Sequence, residues 1–515
     1  MYIKGIWNQV DQYQQFTQPE LSIRLQKISK NSSFVYLLCT NKEIVLCKEP
    51  NYGQAYKYLR IGFDYKFQVL RSPSLLINPS LSEWKGDNIK QMGEILAIKL
   101  FRENTIKQCE LKGSLRDLQM LRKFLGNRMN QVGFHQYFKV HKLIGQGSFA
   151  SVYLATRIED GMKMAVKAFC KKVVYKQEKG QEGLVNEIQI MRDLEHQNLM
   201  KLHEVYETRN SIYMGLELLE GDLLYDLHKI KRKFTSWEIY TIMKGLLNGL
   251  TYIHEKGLMH RDLKLENILF REPDNFNSVV IADFGLATYV DHIPYIFTRC
   301  GTPGFVAPEI INLQNDSQTY GVICDMFSLG VIFYILTTGQ PAFKGTSYNT
   351  IVKSNRAGFI DLQTDKLNQS SWNLKDLLYK MLQRDPQNRI TSRLAIQHDY
   401  FRSFDEDELA LMQTDDDPGL EEIITKLNSK QIRLDLRRLN QSNDDHQICK
   451  TQDLKVSQSQ SDQEQLNMVM RTPLLTGRVR FTEGSPNQSI QSSDLILQSP
   501  GQDQNQTKWL KSFLL

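Results

Sequence analysis

A carboxylate, an ammonium and an amide share one short run, HRDLKLEN, where Asp262, Lys264 and Asn267 lie within six residues. Phosphoryl transfer asks for such a set, because polyphosphate charge must be neutralised, metal ions fixed and a hydroxyl aimed in line at phosphorus. Three other places supply the rest. In LIGQGSFASVYLA, Gly145 and Gly147 precede Ser148, Phe149 and Val152; glycines let a hairpin's backbone approach phosphate oxygens with no Cβ in the way, and Val152 can pack on a purine. In MAVKAF, alternating apolar residues predict a strand that presents Lys167 to α- and β-phosphate oxygens. In IADFGLA, Asp283 follows the strand-like run SVVIAD. A glycine loop or a lone DFG is a weak signal, whereas four such motifs in this order are specific.

These groups need elements to position them. A buried ammonium at Lys167 requires an anionic partner. Glu178, Glu182, Glu187 and Glu195 all compete on distance, and Glu187 is chosen because Val185, Ile188 and Leu194 place it beside the apolar face of the helical run LVNEIQIMRDL. The apolar stretch Phe327–Leu336 is shorter than the roughly 20 residues needed to span a bilayer and predicts a buried helix.

Upstream, SFVYLL, EIVLC, YKFQVL, GEILAIKLF and IKQCELK alternate with turn-prone residues and predict antiparallel strands. Leu115, Leu118, Leu121, Leu125 and Met129 then recur at helical spacing. Strands closed by one C-terminal helix resemble a pleckstrin-homology domain over 21–130, after an extension at 1–20. Lipid-binding members of that family need clustered Lys and Arg around the first hairpin, for which Lys27 and Lys30 are the only early candidates, so a protein-binding or packing role is favoured over a phosphoinositide at a membrane. A formal charge of +6 does not announce a nucleic-acid partner. The seven cysteines (Cys39, Cys47, Cys109, Cys170, Cys300, Cys324, Cys449) show no CxxC pair and fit free thiols in a reducing compartment, and the N-terminus shows no secretory signal. The expectation is a cytoplasmic protein, with peripheral membrane association through the first domain as the alternative.

With HRDLKLEN and its companions in view, the stretch 138–401 resembles the eukaryotic protein kinases. The resemblance implies an α+β chain with a bilobal kinase fold, a β-rich N-lobe and a helical C-lobe, preceded by the small β-barrel or sandwich. It makes Asp262 the base that receives a substrate hydroxyl's proton, Lys264 a γ-phosphate contact, and Asn267 and Asp283 ligands of Mg2+. ATP would be held by Ile144, Gly145, Gln146, Gly147, Ser148, Phe149, Ala150, Val152, Ala165, Lys167, Glu217, Leu219, Asp222, Glu266 and Leu269. Lys264, two places after Asp262, marks the Ser/Thr type, and LMKLHEVYET with GTPGFVAPEI looks most like the calcium/calmodulin-dependent group. Ala150 stands where a third glycine is usual, Leu265 where proline is, and Phe327 where tryptophan is. By the same resemblance Glu309 pairs with Arg389, Asp325 fixes the catalytic loop's backbone, and Thr302 contacts Asp262 and Lys264.

Arg261 suggests control by phosphorylation of the activation segment, with Thr298 favoured over Tyr295 and Thr288. Glu266 and Asp222 suit a basic residue upstream of the phosphoacceptor, or alternatively ribose and solvent. From Arg402 the composition turns to Gln, Ser, Asn and Asp, predicting a largely disordered regulatory tail over 402–515. Within it GLEEIITKLNSKQIRLDLRRLN mixes apolar and basic residues and suits an autoinhibitory or calmodulin-binding helix, with a plain packing helix favoured.

Overall fold

The computed structural model describes residues 6–10, 16–28, 33–72, 93–102, 108–147, 149–230, 233–345, 347–402 and 404. The expectations for Lys30, Ser148, Cys449 and, Phe404 apart, the tail beyond Arg402 lie outside that set. The chain divides into two compact units, one holding the described residues up to 195 together with 200–219, the other holding 196–199 and those from 220 onward.

The first unit begins with β1 (Asn8–Gln9) and a meander of β2 (Leu21–Ile28), β3 (Ser33–Cys39), β4 (Glu43–Cys47) and β5 (Ala55–Arg60). Period-two patterning explains its faces: Leu21, Ile23 and Leu25 are buried while Ser22 and Arg24 are exposed. A second meander, β6 (Tyr65–Arg71), β7 (Ile95–Arg102) and β8 (Gln108–Lys112), joins the first where β8 pairs with β2. Helix α1 (Leu115–Gly126) starts where the Ser114 hydroxyl accepts from the Asp117 amide, and it buries Leu118, Leu121, Phe124 and Leu125. Leu115, expected in the apolar stripe, is 40% exposed because it sits at the first position of the helix, before the stripe turns inward.

After α1 come β9 (Asn130–Gln131), α2 (Phe134–Tyr137) and the strands β10 (Phe138–Gln146), β11 (Ala150–Arg157) and β12 (Lys163–Cys170). The short α3 (Lys171–Val174), the longer α4 (Gly180–Asp193), and β13 (Leu202–Glu207) with β14 (Ser211–Glu217) complete the unit. Two residues join the two halves. Strand β9 runs parallel to β6 on one side and to β13 on the other, so the described strands form one fourteen-stranded sheet ordered β1-β5-β4-β3-β2-β8-β7-β6-β9-β13-β14-β12-β11-β10. One core follows the sheet, with Phe67, Val69, Leu121 and Leu125 sharing a cluster with Tyr137, Phe138, Val166 and Tyr206. Gly133, at φ 93°, makes the left-handed turn that sends Phe134 into a stack on Tyr213 with ring centroids 4.0 Å apart.

The second unit is largely helical: α5 (Leu224–Lys229), α6 (Ser236–Glu255), α7 (Pro308–Ile311), α8 (Ile323–Thr338), α9 (Tyr348–Ala357), α10 (Asp365–Asn368), α11 (Trp372–Met381) and α12 (Ser392–Ile396). A capping box between Thr235 and Glu238 starts α6. The apolar run read as a buried helix is the middle of α8, and Phe327 through Leu336 are all buried. Two small strand pairs, β15 (Leu258–Met259) with β18 (Thr288–Tyr289) and β16 (Ile268–Phe270) with β17 (Val279–Ile281), carry the polar loops described next. Among the described residues no helix is long and apolar enough to cross a membrane.

Candidate active site

The first unit presents a row of groups across its sheet. The β10–β11 hairpin shifts register between Leu143 and Gly145, which sets Gly145 opposite Val152, Val152 opposite Lys167, and Lys167 opposite Met214. Directly paired residues project from the same face, so the glycine, the valine and the lysine lie side by side. Ala165, two residues before Lys167, shares that face. The hairpin tip closes through the Gly147 amide donating to Ala150 O at 2.8 Å. Ile144, Gln146 and Phe149 flank it, and Glu217 and Leu219 end the unit, the Glu217 carboxylate accepting from the Lys201 amide at 2.8 Å.

Lys167 Nζ donates to Glu187 Oε1 at 2.8 Å, and the two side chains are 8% and 6% exposed. Desolvation on that scale makes each the other's necessary partner. Glu178 and Glu182 are exposed and Glu195 meets Lys201 at the surface, so burial alone separates Glu187 from its rivals.

In the second unit everything converges on Asp262. Lys264 Nζ donates to its Oδ2 at 2.8 Å, the Thr302 hydroxyl to its Oδ1 at 2.6 Å, and Asn267 Nδ2 to its backbone oxygen at 2.8 Å and Oδ2 at 3.2 Å. Lys264 also donates to Thr302 Oγ1 at 3.0 Å. Burial opposes the charge on Lys264, yet Asp262 beside it, with Glu266 and Asp283, leaves its ammonium above the usual lysine range. The loop beneath is fixed from behind. Buried Asp325 accepts from the His260 and Arg261 amides, each at 2.8 Å, and from His254 Nε2 at 3.0 Å. His260 donates from Nε2 to Ala282 O and accepts at Nδ1 from the Asp262 amide, an arrangement that assigns the neutral Nε2–H tautomer. Arg261 at φ 66° and Asp283 at φ 61° both hold left-handed backbone that side chains disfavour, the first directly before Asp262 and the second itself a carboxylate of the candidate site.

The residues present fit a hard cation. Asn267 is 1% exposed and its Oδ1 has no hydrogen-bond partner among the described residues, which leaves an acceptor in need of a ligand. Among the described residues no three His, Cys, Asp or Glu could hold a metal together. Mg2+ needs only one or two protein oxygens when phosphate and water complete its shell.

Around this centre, Glu309 and Arg389 form a fork with bonds of 2.7 and 2.9 Å. Arg261 spends its donors on Leu286 O, Phe297 O and the Tyr320 hydroxyl, while Thr298 is reached through its carbonyl, which accepts from Tyr320 at 2.8 Å. Thr298 is half-buried, whereas Tyr295 and Thr288 are buried at 3% and 2% exposure. Asp222 is exposed; Glu266 is buried, with its carboxyl pushed up by burial and its Oε2 without a partner among the described residues. Leu269 lies in β16. Sequence reasoning missed Met214, which only strand register sets opposite Lys167, and His254, which only the fold brings to Asp325 from 71 residues away.

Comparison with known proteins gives one family model, the protein kinase domain, matching residues 138–401. A probable serine/threonine-protein kinase 2 of Plasmodium falciparum is 29% identical over 78% of this chain and 78% of its own length. The calcium/calmodulin-dependent protein kinase type 1 of Caenorhabditis briggsae is 34% identical over 50% of this chain and 70% of its own length. For the calcium-dependent protein kinase 4 of Plasmodium falciparum the identity is 33% over 53% of this chain, which spans about half (51%) of that relative.

Proposed function

The chain belongs to the protein kinase family, with an ATP-dependent serine/threonine kinase domain, and from that premise we propose that the whole protein moves the γ-phosphate of ATP to serine and threonine hydroxyls of other proteins. The observation that carries this reading is the meeting of Lys264, Thr302 and Asn267 on Asp262. A carboxylate so held cannot turn away, and its ionised form is ready to take the proton of an incoming hydroxyl. Lys264 neutralises charge on the transferring group, and Lys167, oriented by Glu187, grips the inner phosphates. Asn267 and Asp283 would hold Mg2+, which supplies neutralisation of the phosphate charge. Gly145 and Gly147 leave room for phosphate, and within the first unit Ile144, Val152 and Ala165 supply apolar surface for the base.

Glu266, buried and short of a partner at Oε2, supports a preference for a basic residue before the phosphoacceptor. The exposure of Thr298 relative to Tyr295 and Thr288 supports Thr298 as the regulatory phosphosite. Seven strands, β2 to β8, closed by α1 support the pleckstrin-homology-like reading of 21–130, and their packing on β13 through β9 favours a protein-facing role over a lipid-facing one. The name of the calcium/calmodulin-dependent relative from Caenorhabditis briggsae supports calmodulin as a partner of 419–440, a segment outside the described residues. Free thiols at the six described cysteines support a cytoplasmic location.

The test is label transfer from Mg·ATP to serine, threonine and tyrosine versions of one peptide, with arginine or alanine upstream, followed by mass mapping of the enzyme. Serine and threonine peptides with upstream arginine should be labelled fastest and Thr298 should carry phosphate; equal labelling of the tyrosine peptide would overturn the assignment.

A further inference from the structure

Asn130 lies in β9, the strand that among the described residues joins the N-terminal strands to the catalytic lobe's strands in one sheet. It is fully buried, and its backbone pairs with Lys66 of β6 and Val205 of β13. Its side chain is equally committed. Nδ2 donates to Glu207 Oε2 at 2.7 Å, and Oδ1 accepts from Arg192 Nη2 at 2.7 Å. Glu207, 2% exposed, is held in turn by Lys66 Nζ at 2.9 Å and by Lys171, the first residue after the strand that carries Lys167.

Arg192 matters because of where it sits. It is the penultimate residue of α4, the helix whose Glu187 orients Lys167. The opposite end of α4 has no side-chain cap: its N-cap is Lys179, at φ 57°, which meets the first turn only through its backbone oxygen, accepting from the Gly183 amide at 2.8 Å. The helix is therefore tethered by polar contacts at its C-terminal end, where a cation also suits the helix dipole. Burial pushes the Arg192 guanidinium down to about 10, and its Nε has no hydrogen-bond partner among the described residues. Without Asn130 Oδ1 it would lose a buried acceptor, and the cheapest relief is for the end of α4 to move towards water.

We infer that Asn130 is a positioning residue for catalysis: by holding Arg192 and Glu207 it couples the N-terminal strands to α4 and so keeps Glu187 on Lys167. The N-terminal region is then part of the apparatus that sets the active lysine, and a partner that loosens β6 from β9 would lower activity without touching the catalytic residues. This rests on the kinase reading above. The two can fail separately, because an inactive wild type defeats that reading while an active one allows this test.

The experiment is a double-mutant cycle in the full chain, with kcat and KM for ATP measured for wild type, Asn130→Ala, Glu187→Gln and the double variant. Acting through Glu187, Asn130→Ala should lower kcat/KM about tenfold in the wild-type background and less than about twofold once Glu187 is glutamine. A merely structural loss would lower the folded fraction by the same factor in both backgrounds, so equal fold-losses, or no loss, overturn the inference. If Asn130→Ala does not fold or Glu187→Gln is too slow to measure, Arg192→Lys and Arg192→Ala decide. Activity within about threefold of wild type for lysine and about tenfold down for alanine supports the coupling, and equal activities refute it.

Discussion

Replacing Thr302 by valine removes one oxygen and little volume, yet it should slow catalysis severely. The hydroxyl donates to Asp262 Oδ1 at 2.6 Å and accepts from Lys264 at 3.0 Å. Hydrogen bonds to charged groups are worth about 1.5–3 kcal/mol each. Lys264 keeps its 2.8 Å bond to Asp262 in the variant, so the second bond is partly compensated, while Asp262 Oδ1 loses its donor outright. A net loss of about 2–3 kcal/mol follows, or about 30- to 150-fold in kcat if these contacts persist in the transition state. Steady-state peptide phosphorylation should show that fall with KM for ATP within about threefold, and Thr302→Ser, which restores the hydroxyl, should recover activity to within about threefold of wild type. A valine variant as active as wild type, or a serine variant no better than valine, would refute the positioning role assigned to the hydroxyl.

Arg389→Met leaves the Glu309 carboxylate, 15% exposed, without its fork, and urea unfolding should show a loss near the lower end of the 3–5 kcal/mol typical of a broken buried pair, about 3 kcal/mol; adding Glu309→Gln should restore part of it. Burial works to raise the Asp325 carboxyl, but His254 and the His260 amide hold it below the ordinary aspartate range. A depressed folded value contributes stability above the unfolded pKa and loses it as pH falls through the folded one, so below about pH 4 the wild-type urea midpoint should fall more steeply than that of Asp325→Asn; parallel slopes would contradict the assignment. Glu266→Gln should reduce the preference for upstream arginine over alanine from roughly tenfold or more to under about threefold, read from kcat/KM on paired peptides.

Much of the site could be read before any coordinates, because its chemistry sits in contiguous motifs. The choice of Glu187 followed from its apolar neighbours in one helix, and burial of that position is what the fold delivers. Strands β3, β4, β6, β7 and β8 followed from alternation, whereas β5 lay outside the predicted runs, and α8 followed from a run of apolar residues. What could not be read depends on pairings distant in sequence. Strand β9 is two residues long, with no periodicity to reveal it, yet it makes one sheet out of two regions. Asn130 and Arg192 are unremarkable polar residues until a parallel register and a helix end bring them within 2.7 Å. Leu115 went astray because helical spacing does not say which turn first reaches the core.

The account depends most on Asp262 as the group that receives the hydroxyl proton. Label transfer from Mg·ATP to a serine peptide, run side by side with nucleotide binding for wild type and Asp262→Asn, tests that directly. The expected result is turnover reduced by about 10²–10⁴-fold with nucleotide affinity changed only a few-fold; equal labelling by the two proteins would contradict it.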